Sequence, residues 1–190
     1  MPATRRHLDR DAKREEILDA AETLMLRAGY HATSMAAIAQ RAGVANNAVY
    51  WYFASKDDLL AAILDRRLER ATAEVPGLAT GSLEERLRAL LAQLDQVAIL
   101  AACVHERAGH SEAVAATHRA FHATVERMLS DGFCDAGLDP AEARCASGAV
   151  MAMIDGIHLH DGERDSDERD RVVLWAVDRM LEARTLTPSA

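Results

Sequence analysis

The stretch from Thr33 to Leu60 constrains the fold most, because its apolar positions restart in a new phase after a glycine. Met35, Ile38, Ala39 and Ala42 fall at i, i+3, i+4 and i+7, one apolar face of a short helix. Gly43 follows, where a helix ends most easily in a left-handed residue. Val44 supplies an apolar wedge, and Ala45 to Phe53 reads as a second helix with Val49 and Phe53 inward at i and i+4. A helix, a glycine turn and a second helix make a helix-turn-helix, whose second helix fits the major groove of DNA.

The outer face of that second helix shows Asn46, Asn47, Tyr50, Trp51 and Tyr52. An asparagine amide pairs with an adenine edge through two hydrogen bonds, and tyrosine hydroxyls reach phosphate. Asn46, Asn47 and Trp51 are therefore expected nearest the bases, with Thr33, Tyr50, Tyr52 and Lys56 on phosphates. Ser34, Gly43, Val44 and Ala45 flank the turn and complete the predicted DNA-facing set. Ser55 is placed to cap the next helix, with Asp57 and Asp58 in its first turn, and Lys56 beside that helix end reads as a backbone clamp. A bland three-helix packing module is disfavoured, because aromatic and amide residues crowd a face that would otherwise be charged.

These residues resemble the DNA-binding signature of tetracycline-repressor-type (TetR family) regulators. The resemblance runs without gaps through Thr33, Ile38-Ala39, Ala42-Gly43-Val44, Val49-Tyr50, Phe53, Ser55-Lys56 and Leu59-Leu60. It covers about the first third of the chain. Ala45 stands where the family usually has serine, Ala48 where it often has threonine, and Tyr52 where it often has histidine. The resemblance implies a homodimeric transcriptional repressor that leaves its operator when a small-molecule effector binds. A metal- or redox-responsive regulator of the same fold is the alternative. A helical metalloenzyme and a ligand-independent architectural DNA protein are more distant ones.

A formal net charge of −8 looks wrong for a DNA binder until it is divided along the chain. Residues 1–58 hold eight Lys/Arg and eight Asp/Glu, so the whole excess of acid lies in the remainder. Arg5, Arg6, Arg10, Lys13 and Arg14 gather positive charge in an N-terminal arm suited to phosphate contact. At 190 residues and 49% hydrophobic content the chain supports a real core, and no alternating strand pattern persists. The expected fold is all-α. A helix-turn-helix domain spans 1–55, a connecting helix 56–76, and a helical effector-binding and dimerisation domain 77–190, with the boundary at Pro76-Gly77. Three cysteines without CxxC spacing fit reduced thiols. No signal peptide or membrane-length apolar run is read, so a cytoplasmic protein with no membrane partner is expected.

Along the chain, residues 1–9 read as a loose arm. A helix from about Arg10 to Ala28 presents Ile17, Ala20, Ala21, Leu24 and Leu26. The helix from Lys56 to Glu74 turns Leu60, Ile63, Leu64 and Leu68 inward. Ser82 to Glu85 forms a capping box, and Leu83, Leu87, Leu90, Leu94, Val97, Ala101 and Val104 predict one helix through about Arg107. Ser111 caps a helix to about Phe133, Asp139-Pro140 opens another whose stretch 146–159 is apolar nearly all round, and His160-Asp161-Gly162 closes it. The last helix runs from Asp167 to Ala183, before a tail from Thr185 to Ala190. The two terminal helices carry more apolar surface than one domain covers, so they are expected to pair with a second copy. Two-fold pairing sets the reading helices about 34–36 Å apart, to match an inverted-repeat operator in double-stranded DNA.

Polar or bulky groups among the apolar helices of the second domain outline a candidate effector site: Cys103, His105, His118, Phe121, His122, Met151, Asp155 and His158. His118 and His122 have the i, i+4 spacing that holds a metal. No third ligand stands at short spacing, so no metal and no cofactor are expected. His105 and His110 do not form an HExxH pair, being five residues apart. Cys103 on an apolar helix is expected to be a small hydrophobe rather than a redox sensor.

Overall fold

The computed structural model describes residues 2–74, 81–160 and 165–185, with side chains described for most of them. Nine helices cover these residues: α1 (Pro2–Ala28), α2 (Met35–Arg41), α3 (Asn46–Tyr52), α4 (Lys56–Glu74), α5 (Leu83–Asp95), α6 (Ala98–Ala108), α7 (Glu112–Asp135), α8 (Pro140–His160) and α9 (Ser166–Thr185). No strand occurs among the described residues, as the absence of alternation required. The predicted break at Pro76-Gly77, residues 161–162 of the predicted stop after α8, and residues 186–190 lie outside the described residues. No single described helix is long and apolar enough to cross a membrane.

The chain packs as two units. The first gathers residues 1–67 with 103–117, and the second 68–102 with 118–190. The first unit therefore recruits the end of α6 and the start of α7, residues far away in sequence from the helix-turn-helix. Its core includes Ile17, Leu18, Ala21 and Met25 from α1, Ile38 and Ala39 from α2, Val49 from α3 and Leu59, Leu60 and Ile63 from α4. On α1 the buried set includes Leu18 and Met25 where Leu24 and Leu26 were expected, and both of those are only half-buried.

The second unit is built around Leu87, Leu90 and Leu91 of α5, Val125, Leu129 and Phe133 of α7, Val150, Met151 and Ile154 of α8, and Val173 and Val177 of α9. The expected capping box forms: the Ser82 hydroxyl accepts from Glu85 N, and Glu85 returns to Ser82 N at 2.7 Å. α5 and α7 approach closely at Gly132, where a Cβ would stand 2.9 Å from Leu83 Cδ1. Arg86 is buried there and donates to the carbonyls of Gly81 and Met128 and to Asp135 at 2.9 Å.

Two elements differ from expectation. The helix predicted from Leu83 to Arg107 is divided at Gln96-Val97 into α5 and α6. Burial passes from Leu91 to Leu100 and Cys103, whereas an unbroken stripe would have continued through Val97 and Ala101, which are only half-buried. Neither proline nor glycine marks the break, so only packing decides it. Of residues 1–9, expected as a loose arm, 2–9 instead continue α1 back to Pro2.

Candidate nucleic-acid interface

The helix-turn-helix is assembled from three local devices. Ser34 caps α2, its Oγ accepting from Ala37 N at 3.1 Å with the backbone extended at φ −104°. The far end closes through Gly43 at φ +65°: Gly43 N donates to Gln40 O and Val44 N to Ala39 O at 3.0 Å. That paired arrangement is a Schellman turn, and only glycine takes its left-handed position without strain. Val49 and Phe53 then pin α3 inward, being 0% and 4% exposed.

What remains outside is the face expected to meet DNA. Ser34, Gly43, Ala45, Asn46 and Asn47 are exposed, Tyr50 is 53% and Trp51 81% exposed, and Val44 and Tyr52 are half-buried. Leaving a tryptophan almost wholly in water costs burial worth roughly 1.5–3 kcal/mol or more, so its exposure points to a function outside the core. Ala45 is the N-cap of α3 and offers no side-chain cap, so the first amides of this helix face outward uncapped. The neighbouring asparagines do not take over that role.

Two residues expected on phosphates make contacts within the turn. Thr33 is 3% exposed, and its hydroxyl donates to Gly29 O at 2.8 Å, inside the turn between α1 and α2. Lys56 Nζ donates to the carbonyls of Tyr30 and Thr33, each at 2.9 Å, and lies 4.0 Å from the Tyr30 ring centroid. Burial holds its pKa below the ordinary lysine value. An ammonium with this environment braces the turn beneath α2. In the arm, Lys13 is paired with Glu16, and Arg14 with Glu15 at 3.2 Å while lying over the Phe53 ring at 4.9 Å.

Beneath this face lie charge clusters that sequence reasoning missed. Arg107, from the end of α6, grips Asp57 with Nε and Nη2 at 3.0 and 2.6 Å, and the Tyr30 hydroxyl donates to the same carboxylate at 2.5 Å. The Arg107 hydrogen bonds hold Asp57 below the usual carboxylate range against the opposing effect of burial. Burial and then Asp57 push the Tyr30 phenol above its ordinary value. Between α4 and α1, Arg66 donates to Glu15, Asp19 and Glu22, and Arg67 Nε to Glu22 at 2.6 Å. Partners 44 to 51 residues apart leave no local spacing by which to find them.

The predicted effector residues divide between the units: Cys103 and His105 belong to the first, the other six to the second. Cys103 is 8% exposed, and burial pushes its thiol up to about 11, so it stays protonated near neutrality and makes a poor redox sensor. In the second unit the structure brings together His118, His122, Phe121 and Asp155. The two histidine Nε2 atoms are 3.1 Å apart, His122 Nε2 lies 3.5 Å from Asp155 Oδ2, and the Phe121 ring meets His122 edge-on at 5.8 Å. Met151 is 2% exposed and belongs to the core. His158 donates Nδ1–H to Ile154 O at 2.8 Å, and its buried Nε2 has no partner among the described residues.

Known proteins fall into line with this geometry. The family profile "Bacterial regulatory proteins, tetR family" matches residues 17–63, a span that includes α2 and α3. The HTH-type transcriptional regulator BetI of Burkholderia thailandensis is 32% identical over 162 residues, covering 79% of this chain and 82% of that protein. The HTH-type transcriptional repressor KstR of Mycolicibacterium smegmatis is 38% identical over 86 residues, 44% of this chain and 42% of that one. Among solved structures, a TetR transcription regulator from Haloarcula marismortui superimposes with a TM-score of 0.72 at 26% identity, over 91% of this chain and 98% of that one. Kinship across most of the chain joins the glycine-turned helix pair and its solvent-facing amides and aromatics to one conclusion: this chain belongs to the tetR family of bacterial regulatory proteins and is a DNA-binding transcriptional regulator, not an enzyme.

Proposed function

We propose that the chain is a homodimeric repressor that reads an inverted-repeat operator through α3 and is released by a small-molecule effector held among the helices of its second unit. Asn46, Asn47 and Trp51 stand nearest the bases, Tyr50 and Tyr52 lie on the phosphates, and Ser34, Gly43, Val44 and Ala45 meet the backbone around the turn. The observation that carries this reading is Trp51 at 81% exposure beside two exposed asparagines on a helix pinned from behind. Thr33 and Lys56 act indirectly, by holding the turn on which α2 stands. Pairing through α8 and α9 is supported by Trp175, 64% exposed on α9. His118, Phe121, His122 and Asp155 are the half-buried polar and aromatic groups nearest one another for an effector to meet. The effector acts only through a difference in affinity between DNA-binding and released states.

The test is selection of duplexes from a random pool, followed by gel shifts at one fixed salt concentration. An inverted repeat should emerge. Asn47→Ala should erode discrimination by roughly 1–3 kcal/mol at one position of each half-site, whereas Tyr50→Phe should weaken selected and random duplexes alike. Recovery of duplexes with no repeat, or undiminished discrimination by Asn47→Ala and Trp51→Ala together, would overturn the assignment.

A further inference from the structure

We infer that His118 and His122 of α7, with Asp155 of α8, form a binding site for one divalent transition-metal ion, and that the ion ties these two helices together. The inference rests on the reading of this cluster as the effector region and names the chemical class that it takes. From the sequence alone, a histidine pair at i, i+4 was an incomplete site. The fold brings a carboxylate oxygen of Asp155, 33 positions further on, to 3.5 Å from His122 Nε2.

The arrangement of the two rings distinguishes a chelate from an ordinary hydrogen bond. Two imidazoles joined end to end by an N–H···N bond of 3.1 Å would hold their centroids roughly 5 Å or more apart, because each centroid lies behind its nitrogen. The observed centroids are only 4.3 Å apart with the planes tilted by 49°, so the rings stand side by side. Both Nε2 atoms then lie at the same end and can share one point in front of them. Two nitrogens each about 2.1 Å from an ion, at an angle of about 95°, are about 3.1 Å apart, and opening that angle to the tetrahedral value separates them to about 3.4 Å. Asp155 Oδ2, 3.5 Å from His122 Nε2, stands at a ligand-to-ligand spacing of the same size.

Burial and chemistry agree with this geometry. His122 and Asp155 side chains are 24% and 26% exposed, sheltered enough to lose most of their hydration yet open to an entering ion. Two imidazoles and one carboxylate are donors for Zn²⁺, Co²⁺ or Ni²⁺, not for Mg²⁺, which prefers oxygen and retains its water. Three protein ligands leave a position for water or for a donor atom on an organic ligand. An ion there would join α7 and α8, which both contribute to one buried apolar cluster, with Val125 and Leu129 from α7 and Val150 and Ile154 from α8.

The experiment uses untagged full-length protein, first stripped with chelator, then titrated with Co²⁺ and Zn²⁺, with Mg²⁺ as control. The expected result is one equivalent of Co²⁺ per chain with visible absorption bands, displaced by Zn²⁺ and unaffected by Mg²⁺. His122→Ala should weaken binding about a hundredfold or more, since losing even an outer-sphere partner costs a metal site 10- to 100-fold. Asp155→Asn should weaken it by less, and the exposed His31→Ala should leave it unchanged. Because none of these readouts contains DNA, they separate the metal site from the effector reading. Operator release that responds to an organic ligand but not to metal would retain that reading. Absence of stoichiometric Co²⁺ binding, or equal binding by His122→Ala confirmed folded by circular dichroism, would overturn the inference.

Discussion

Replacing Arg66 tests what holds the reading head together. Its side chain is 10% exposed and donates to three carboxylates on α1, of which Glu22 is 13% exposed, Glu15 49% and Asp19 66%. Removing one partner of a buried pair costs about 3–5 kcal/mol, because the other charge is left desolvated. Here that applies only to Glu22, which also keeps the Arg67 hydrogen bond at 2.6 Å, so about 2 kcal/mol is the reasonable share. Glu15 and Asp19 are solvated, and each adds at most about 0.5 kcal/mol. Arg66→Met, which retains the apolar stem, should therefore cost about 3 kcal/mol. Arg66→Ala should cost more by the lost packing, and Arg66→Lys less, since it keeps the charge but not the fork that reaches three partners. Urea unfolding at fixed protein concentration measures the change, and a double-mutant cycle with Glu22→Gln isolates the pair. The cycle should return about 2 kcal/mol of coupling. A neutral Arg66→Met, or coupling below about 0.5 kcal/mol, would show that the cluster is only a surface network.

Two other perturbations act on the same unit. Ala45→Ser places a hydroxyl at an N-cap whose φ −66° and ψ 147° already suit capping, so stability should rise by about 1 kcal/mol and the melting temperature by about 2–4 °C; an unchanged melting temperature would contradict the uncapped geometry. Asp57 ionises more readily in the folded state than in the unfolded one, so its contribution is present above the unfolded value near 4 and is lost as pH falls through the lower folded value. Asp57→Asn should be less stable than the parent at pH 7, with the gap closing below about pH 4; a gap constant from pH 7 to pH 3 in urea unfolding would refute the Arg107–Asp57 assignment.

Much of the reading head was legible in the chain because its determinants are local. The period of Met35 to Ala42, the glycine after it and the inward pair Val49 and Phe53 fix two helices and their turn within twenty residues, and the structure reproduces them nearly to the residue. The same holds for the Ser82–Glu85 box and for Asp139, whose Oδ1 caps the amides of Ala141 and Glu142 before α8. Helix identity, caps and the all-α class depend on neighbours three or four residues away, which a sequence displays directly.

Tertiary structure decided what each charge and each break does. The carbonyls of Tyr30 and Thr33 that surround Lys56 belong to a turn 23 to 26 positions earlier, and Asp57 reads as a helix-dipole residue until Arg107 arrives from 50 positions away. The division between α5 and α6 follows from where Leu100 and Cys103 find cover, with no glycine or proline to announce it. Asp155 reaches His122 only because the fold brings α8 to within 3.5 Å of it. Periodicity records which face of a helix avoids water; which partner meets that face depends on packing between segments far apart in the chain, and no local spacing encodes that.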